Sequence, residues 1–481
     1  MKKRYGVCFG MLALGMTVVG TPVGRAQSRL EANGGSGASS GSATSMSPAP
    51  AASSPADLDR RIEALEQELS ELRTELTARK EAETVAASAV AMAPAPTPGL
   101  AVAPQDAAKP PEKVTVASLL GPTSVSGFVD TYYQVNFNHP ADNGADFRAF
   151  DFRSHQIALN MIELILDKAP DASGPAGRTG YHVSLGFGDA MNSVNVTDPG
   201  GLGFAQYLKE GYFSYLAPVG KGLQVDVGKF VTPMGAEVIE SKDNWNYSRG
   251  LLFTYAIPFF HFGARAKYTF NDKYNITGFL VNGWNNIVEN NSGKTYGLSF
   301  GWNPDKKTAI TVNYLAGSET PTLAAGSLPV VNTNNFWRQT WDAVAMYTPN
   351  TRFSAMVNFD YGRGDRFIST FPTTVSPPVY WTGGAGYVKY SPTDKDYVAL
   401  RYEYYEDHDG FTLGTFPHLH MNEVTATYQR TLASHLLTRF EYRRDWATRP
   451  IFDYSHFAVP VKQQNTATMG LIFLFDSRDA K

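Results

Sequence analysis

The sequence predicts an all-β fold: a transmembrane antiparallel β-barrel of about 16 strands (14–18), preceded by a short N-terminal coiled-coil helix. Three observations lead to this prediction. From Ser124 onward the apolar residues recur with period two. Most of the periodic segments have the roughly 9–11 residues that a tilted strand needs to cross a bilayer. The connections between these segments alternate between short and long.

The N-terminus predicts export from the cytoplasm. Residues 1–26 combine the basic triplet KKR at 2–4, a short apolar stretch and the small-x-small motif GRA at 24–26, which is the pattern of a secretory signal peptide. The apolar stretch is shorter than the roughly 20 residues that a spanning helix needs. The single cysteine, Cys8, lies within the signal, so we expect no disulfide in the mature chain.

Charge and composition divide the mature chain. Without the signal, 38 basic and 45 acidic residues remain, a balance that predicts no nucleic-acid partner. Residues 27–57 and 84–123 are rich in small residues and proline and hold no aromatic residue, so they are predicted to be linkers, the first of them disordered. Of the 25 Tyr, 29 Phe and 7 Trp, all but two lie between Phe128 and Phe475, which assigns residues 124–481 to the barrel.

A short coiled coil is predicted between the linkers, at residues 58–83. Its apolar residues are spaced alternately by four and three, as in a heptad repeat. With Ile62 at position a, three g-to-e pairs have opposite charges, which favours parallel, in-register identical helices. A solvated single helix is the alternative interpretation. The heptad residues are Leu58, Ile62, Leu65, Leu69, Leu72 and Leu76.

The barrel strands are recognised by their two faces. Val398, Leu400 and Tyr402 share one face of a segment, and Arg401 and Glu403 share the other. A soluble β-sandwich also alternates in this way. The aromatic residues here, however, cluster towards the strand ends, as the interfacial girdle of a membrane barrel does. The predicted segments are 124–138, 153–168, 179–189, 205–217, 221–230, 260–271, 274–284, 294–302, 307–316, 336–347, 352–361, 381–391, 396–407, 419–430, 436–445 and 464–475.

Loop lengths distinguish a barrel from a sandwich. After the even-numbered segments the connections are mostly tight turns such as NPDK and PTDK, whereas after the odd-numbered segments they have about 9–29 residues. Bacterial outer-membrane barrels have this alternation, with short periplasmic turns and long outer loops. Both termini are then expected in the periplasm, together with the N-terminal stalk.

The third long loop, residues 231–259, has an unusual composition. It holds four ionisable residues within seven positions and then a dense run of aromatic residues. Because a sixteen-strand barrel encloses an aqueous channel, we expect the loop to fold inward and to constrict that channel. An aromatic hairpin that caps the barrel or contacts a neighbouring protomer is the alternative. The candidate constriction residues are Glu237, Glu240, Lys242, Asp243, Trp245, Tyr247 and Arg249.

Basic residues on the predicted lumen faces are candidates for the opposing wall. Loop carboxylates that face arginines across a gap would create a transverse field, and such charges set pore selectivity. The candidate lumen-wall residues are Arg265, Lys267, Arg401, Arg439 and Arg443.

Five ordered motifs lie in the barrel region: GFVDTYYQVNFN at 127–138, VGKFVTPMGAEVIE at 227–240, NWNYSRG at 244–250, IPFFHFGAR at 257–265 and VNGWNNIVENNSGKT at 281–295. Together they resemble the OmpL-like family of β-barrel porins, over essentially residues 125–475. The resemblance implies an outer-membrane porin, a water-filled channel for passive diffusion of small hydrophilic solutes, and it implies no particular solute. By similarity to general porins, the third loop is expected to fold inward and the chain to form a homotrimer.

Motifs for other chemistry are weak. GLSFG at 297–301 matches the nucleophile-elbow pattern around Ser299, but that motif needs a strand–turn–helix context and here it lies within a predicted strand. His418 and His420 are too few for a metal ligand set. We therefore expect no enzyme activity, no cofactor, and no catalytic, cofactor-binding or metal site.

Two other classes of function remain as alternatives to a channel. A structural barrel could be tethered to peptidoglycan through the coiled coil. A barrel enzyme has less support, because no nucleophile, base and orienting residue can be assembled from the sequence. For the channel as for these alternatives, the expected partners are the outer-membrane lipids and the barrel assembly machinery, with peptidoglycan as a candidate partner of the stalk.

Overall fold

The computed structural model describes residues 123–174, 177–195, 205–320, 334–368, 374–414, 417–455 and 459–479. The predicted signal peptide, the coiled coil and, apart from Thr123, both linkers lie outside these residues. No helix in the described part of the chain is long and apolar enough to cross a membrane.

Sixteen antiparallel strands form a closed barrel, which confirms the predicted fold and strand number. The last strand pairs with the first, from Phe475 opposite Gly127 to Thr466 opposite Asn136, so the sheet has no free edge. The barrel strands are β1 (Ser124–Asn136), β2 (Ile157–Lys168), β3 (Thr179–Phe187), β4 (Leu208–Ala217), β5 (Leu223–Val231), β6 (Phe260–Thr269), β7 (Tyr274–Val281), β8 (Thr295–Trp302), β9 (Thr308–Ser318), β10 (Trp337–Tyr347), β11 (Phe353–Ile368), β12 (Thr374–Tyr390), β13 (Asp396–Asp407), β14 (Leu419–Ala433), β15 (Leu436–Ala447) and β18 (Gln463–Asp476).

A short helix and two short strands are among the elements that lie outside the barrel wall. A short helix, α1 (Asp189–Asn195), follows β3. Strands β16 (Phe452–Tyr454) and β17 (Val459–Val461) form a separate two-stranded sheet in the connection between β15 and β18.

The outer surface of the barrel is apolar, because the side chains alternate as predicted. On β13, Val398, Leu400 and Tyr402 are 43%, 46% and 49% exposed. Arg401 and Glu403, between them in sequence, are buried in the interior. A wall with apolar residues outside and polar residues inside is the arrangement that a lipid bilayer requires of a spanning barrel.

Aromatic side chains gather at the strand ends joined by the short turns, here called the turn side. They are exposed on the outer surface, where an interfacial girdle places them. Their positions agree with the clustering expected from the sequence. Examples are Tyr274, Trp302, Tyr347, Phe353, Tyr390 and Phe475.

Connection lengths follow the predicted alternation, with one exception. The turn-side connections range from two residues at 434–435 to ten at 169–178, and the third connection on the opposite, loop side spans 232–259. The exception is the loop expected after residue 361, which is wrong in length because β11 continues to Ile368 and β12 begins at Thr374. These two strands therefore form a hairpin that extends the wall.

The interior contains a packed hydrophobic cluster as well as polar walls. Phe128 of β1 and Trp381 of β12 contribute to it from the wall. Phe150 of the first long loop packs against Phe253 and Phe259 of the third loop, with ring centroids 5.8 and 5.7 Å apart. A sixteen-strand barrel has an interior too wide to be filled by wall side chains alone, and here two loops fill part of it.

Candidate functional site

The third loop, residues 232–259, lies inside the barrel and crosses to the opposite wall. It begins and ends at β5 and β6, which stand half-way around the barrel from β13 and β14. The amides of Tyr247 and Ser248 donate to the two carboxylate oxygens of Glu441 on β15, at 2.6 and 3.0 Å. The Tyr247 hydroxyl donates to Asp130 on β1 at 2.8 Å. Burial holds the pKa of Tyr247 well above its usual range, so the phenol stays a neutral donor.

Two glycines permit the close approach of loop and wall. A Cβ atom at Gly250 in the loop would lie 2.1 Å from a carboxylate oxygen of Glu403. A Cβ atom at Gly470 on β18 would lie 2.5 Å from the ring of Tyr247. Both distances are far below a van der Waals contact, so a larger residue at either position would have to displace the Glu403 carboxylate or the Tyr247 ring.

The three predicted wall arginines on β13 and β15 are buried and bind the backbone of the loop. Arg401 donates to the carbonyl oxygen of Ser248 at 2.6 Å, and Arg443 to that of Arg249 at 2.7 Å. Arg439 donates to four loop carbonyl oxygens, including that of Asn244 at 2.8 Å. The planar guanidinium with its five N–H donors suits this task, and the three side chains together clamp the loop to the wall.

The expectation of an open gap between the loop carboxylates and the arginines is wrong for Glu237. Its Oε1 atom lies 2.5 Å from Nη1 of Arg401, and its Oε2 atom accepts from the amide of Gly250 at 2.6 Å. Nε of Arg401 also donates to Glu423 on β14 at 2.6 Å. Glu237, Arg401 and Glu423 therefore form a buried ion-pair network. Direct contact between the opposite charges offsets the cost of removing them from water.

Glu240 likewise does not face the arginines. It pairs with Lys209 on β4, and the Lys209 ammonium also lies 2.6 Å from Glu163 on β2. Glu240 thus fixes the loop to the wall near its root rather than to the far wall. The two carboxylates hold the loop from both sides of the lumen.

The other five candidate constriction residues have different environments. Tyr247 and Arg249 are buried, and Arg249 donates to the carbonyl oxygen of Ile239. Lys242 and Asp243 form an ion pair of 2.5 Å near the turn-side rim of the barrel. Trp245 is half-buried, with the ammonium of Lys389 over its ring at 4.9 Å.

The wall formed by β5–β9 has contacts of a different kind. Arg265 pairs with Asp226 at 2.7 Å, and Lys267 is exposed. Both line a cavity of about 360 Å³ to which the third loop contributes Pro233. Two of the five predicted wall residues therefore stand apart from the clamp, beside open space.

Sequence reasoning missed an acidic pair that lies beside the start of the loop. Asp342 on β10 and Asp360 on β11 are opposite each other in the sheet and both are buried. Asp342 accepts from Asn313 at 2.5 Å and from Asn358 at 2.8 Å. These asparagines also bind the backbone at Pro233 and Ala236 in the loop. Alternation on β10 and β11 places both aspartates on the lumen face, so the periodicity alone could have identified them.

The weak motifs for other chemistry gain no support from the part of the chain that the structure describes. Ser299 lies within β8, with no helix after it, so the nucleophile-elbow context is not met. Within the described ranges no three His, Cys, Asp or Glu side chains are grouped to hold a metal ion. His418 instead contacts the ring of His408 at 4.3 Å, and His420 contacts Tyr404 at 2.9 Å.

Comparisons with known proteins identify one family and several structural neighbours. A family model described as "Putative beta-barrel porin-2, OmpL-like" matches residues 122–475. No curated protein matches the chain.

The structural neighbours are distant in sequence. A loop L8 deletion mutant of OmpT, an outer membrane protein of Vibrio cholerae, is 12% identical, with a TM-score of 0.47, over 73% of this chain and 99% of the other. The anion-selective porin from Comamonas acidovorans is 10% identical, with a TM-score of 0.46, over 73% and 99%. The outer membrane channel DcaP of Acinetobacter baumannii is 9% identical, with a TM-score of 0.47, over 73% and 97%.

Proposed function

Because the chain belongs to the OmpL-like family of β-barrel porins, we propose that it forms a water-filled channel in the bacterial outer membrane, through which small hydrophilic solutes diffuse passively. The observation that carries this proposal is the division of the barrel interior. The third loop is clamped to the wall of β13–β15, while the wall of β5–β9 borders a polar cavity of about 360 Å³. A solute path along the wall of β5–β9 requires no movement of the loop that is clamped to the wall of β13–β15.

The third loop is the constriction in this proposal, and it acts through its volume. Glu237 and Arg401 neutralise each other in direct contact, so neither presents a free charge to the lumen. The loop backbone and its aromatic residues then bound the path on one side. Four candidate constriction residues keep exposure to water: Glu240, Lys242, Asp243 and Trp245.

Planar-bilayer recording of the mature chain tests this function. We expect stepwise, ohmic conductance in potassium chloride, because a passive pore requires no gating energy. The protein must first be verified as a folded barrel by its heat-dependent mobility in an SDS gel. A folded barrel that inserts and conducts no current would reject the channel and favour the tether, which is the alternative suggested by the N-terminal heptads.

The N-terminal stalk is proposed to assist assembly of a homotrimer in the periplasm. Its opposite-charge g-to-e pairs favour parallel association of identical helices. We expect deletion of residues 27–113 to leave an inserted barrel and to weaken the oligomer in mild detergent. Light scattering of both proteins in the same detergent measures this difference. A deletion variant with unchanged oligomer mass would show that the stalk does not contribute to assembly, and peptidoglycan binding would then be its remaining candidate role.

A further inference from the structure

The wall of β5–β9 carries two basic side chains that take no part in clamping the third loop. Arg265 and Lys267, two residues apart on β6, both line the cavity of about 360 Å³. In the sheet, Arg265 lies opposite Asp226 and Lys267 lies opposite Gln224. The cavity therefore has a cationic side.

Asp226 is already satisfied by its neighbours. Its Oδ1 atom accepts from Ser214 at 2.7 Å and from Gln224 at 2.9 Å, and its Oδ2 atom accepts from Nε of Arg265 at 2.7 Å. The two terminal nitrogens of Arg265 donate no hydrogen bond within the described ranges. Lys267 likewise forms no ion pair with any residue that the structure describes. One engaged carboxylate against two cations leaves the cavity with a net positive charge.

Two aromatic rings fix the guanidinium of Arg265. Its central carbon lies 4.9 Å from the ring centroid of Tyr212 and 4.6 Å from that of Phe230. Stacking on rings while one edge is tied to a carboxylate is a geometry that arginine supports and lysine does not. The remaining edge is held in a constant orientation and can donate two parallel hydrogen bonds to one oxyanion.

Neutral donors complete the lining of the cavity. Thr277 on β7 and Ser299 on β8 lie opposite each other, and Asn275 shares the face of Thr277. All three side chains line the cavity. None of them donates a hydrogen bond elsewhere in the part of the chain that the structure describes. Hydroxyl and amide groups placed around a cation pair add contacts for anion oxygens.

From this geometry we infer that the cavity is a binding site for small oxyanions, in which Arg265 and Lys267 hold a carboxylate or phosphate group and the three neutral donors contact its other oxygens. The inference rests on the proposed channel, for which it names the preferred class of solute. Its consequence is a pore that conducts anions better than cations. The site also gives a role to Ser299, as a ligand-binding hydroxyl rather than a nucleophile.

Reversal potentials in asymmetric potassium chloride test the selectivity. We expect the parent channel to prefer chloride and the double variant Arg265→Gln, Lys267→Gln to lose this preference, with the chloride-to-potassium permeability ratio falling about fivefold for each charge removed beside the path. The matched control is Lys273→Gln with Lys306→Gln, which removes two exposed lysines from turns outside the cavity. Equal reversal potentials for the two double variants would overturn the inference.

Competition with chloride distinguishes a bound oxyanion from a general field. Millimolar succinate or inorganic phosphate should reduce the chloride current of the parent channel and of the control variant, and should leave that of the double variant unchanged. A block by succinate alone assigns a carboxylate site, and a block by phosphate alone assigns a phosphate site. If neither reduces the parent current, the binding site is rejected. The single variant Lys267→Gln, altered only at an exposed side chain, serves as a second test if the double variant does not fold.

The site can also be tested if the protein does not conduct. In that case the proposed channel fails. Equilibrium dialysis of radiolabelled phosphate or succinate against the purified barrel then tests the oxyanion site independently of conductance. Binding by the parent and not by the double variant would support the site without the channel. Absence of binding to the parent protein would reject the oxyanion site as well as the channel.

Discussion

Removal of residues 236–252 from the third loop is expected to raise single-channel conductance severalfold and to admit larger solutes. The strands of the wall are untouched by this deletion, whereas the segment that crosses from β5 to β15 is lost. The deletion removes three acidic and two basic residues, a net loss of one negative charge. It also leaves the guanidinium of Arg439 without its loop carbonyl partners, while Arg401 and Arg443 keep Glu423 and Asp445 on the wall. The reversal potential should therefore move towards anions. Single-channel recording in dilute potassium chloride measures both effects.

The predicted shift in selectivity should depend on the salt concentration and on which part of the loop is changed. At 1 M salt the Debye length is about 3 Å, so the shift in selectivity should shrink while the gain in conductance remains. The control is Lys242→Gln with Asp243→Asn, which changes the loop charges near the turn-side rim and leaves the clamped segment in place. If the deleted protein is folded and conducts like this control, the loop does not bound the solute path.

The wall of the barrel could be predicted from the sequence because it depends on local periodicity. A strand with Val398, Leu400 and Tyr402 outside must place Arg401 and Glu403 inside, whatever its neighbours are. The alternation of turn and loop lengths then gave the topology, since each strand pairs with the next one along the chain. Prediction failed at β11 and β12, where the sequence RGDRF at 363–367 looks like a polar loop and β11 nevertheless continues to Ile368.

The interior of the barrel could be predicted only in part. That the loop enters the lumen follows from its composition, but its partners depend on the path of the backbone across the barrel. Glu237 meets Arg401 164 residues later in the chain, and Glu240 meets Lys209 on the near wall. Nothing in the local pattern distinguishes these two carboxylates. The role of Gly250 could not be predicted from the sequence either, because it depends on the contact with Glu403 that only the folded structure shows.

Replacement of Arg401 by alanine should strongly destabilise the barrel interior. Arg401 is fully buried and contacts Glu237, Glu423 and the carbonyl oxygen of Ser248. Removing one partner from a buried ion pair typically costs about 3–5 kcal/mol, because the remaining charge is left without compensation. We expect the loop to leave the wall, which would lower the temperature of the unfolding transition seen in SDS gels and increase the current noise of single channels.

A double-mutant cycle separates the ion pair from the loss of packing. The variant Glu237→Gln removes one of the two carboxylate charges that Arg401→Ala leaves without this partner, so the two changes together should cost less than the sum of their separate costs. Glu237→Gln by itself should loosen the loop rather than shift selectivity, since its carboxylate is not free in the lumen. The matched control is Arg430→Ala, which removes an exposed ion pair with Asp396 and should change the unfolding free energy by no more than about 1 kcal/mol. If Arg401→Ala and Arg430→Ala have the same unfolding temperature, the buried network does not hold the loop, and its seating must come from the hydrophobic cluster around Phe253 and Phe259.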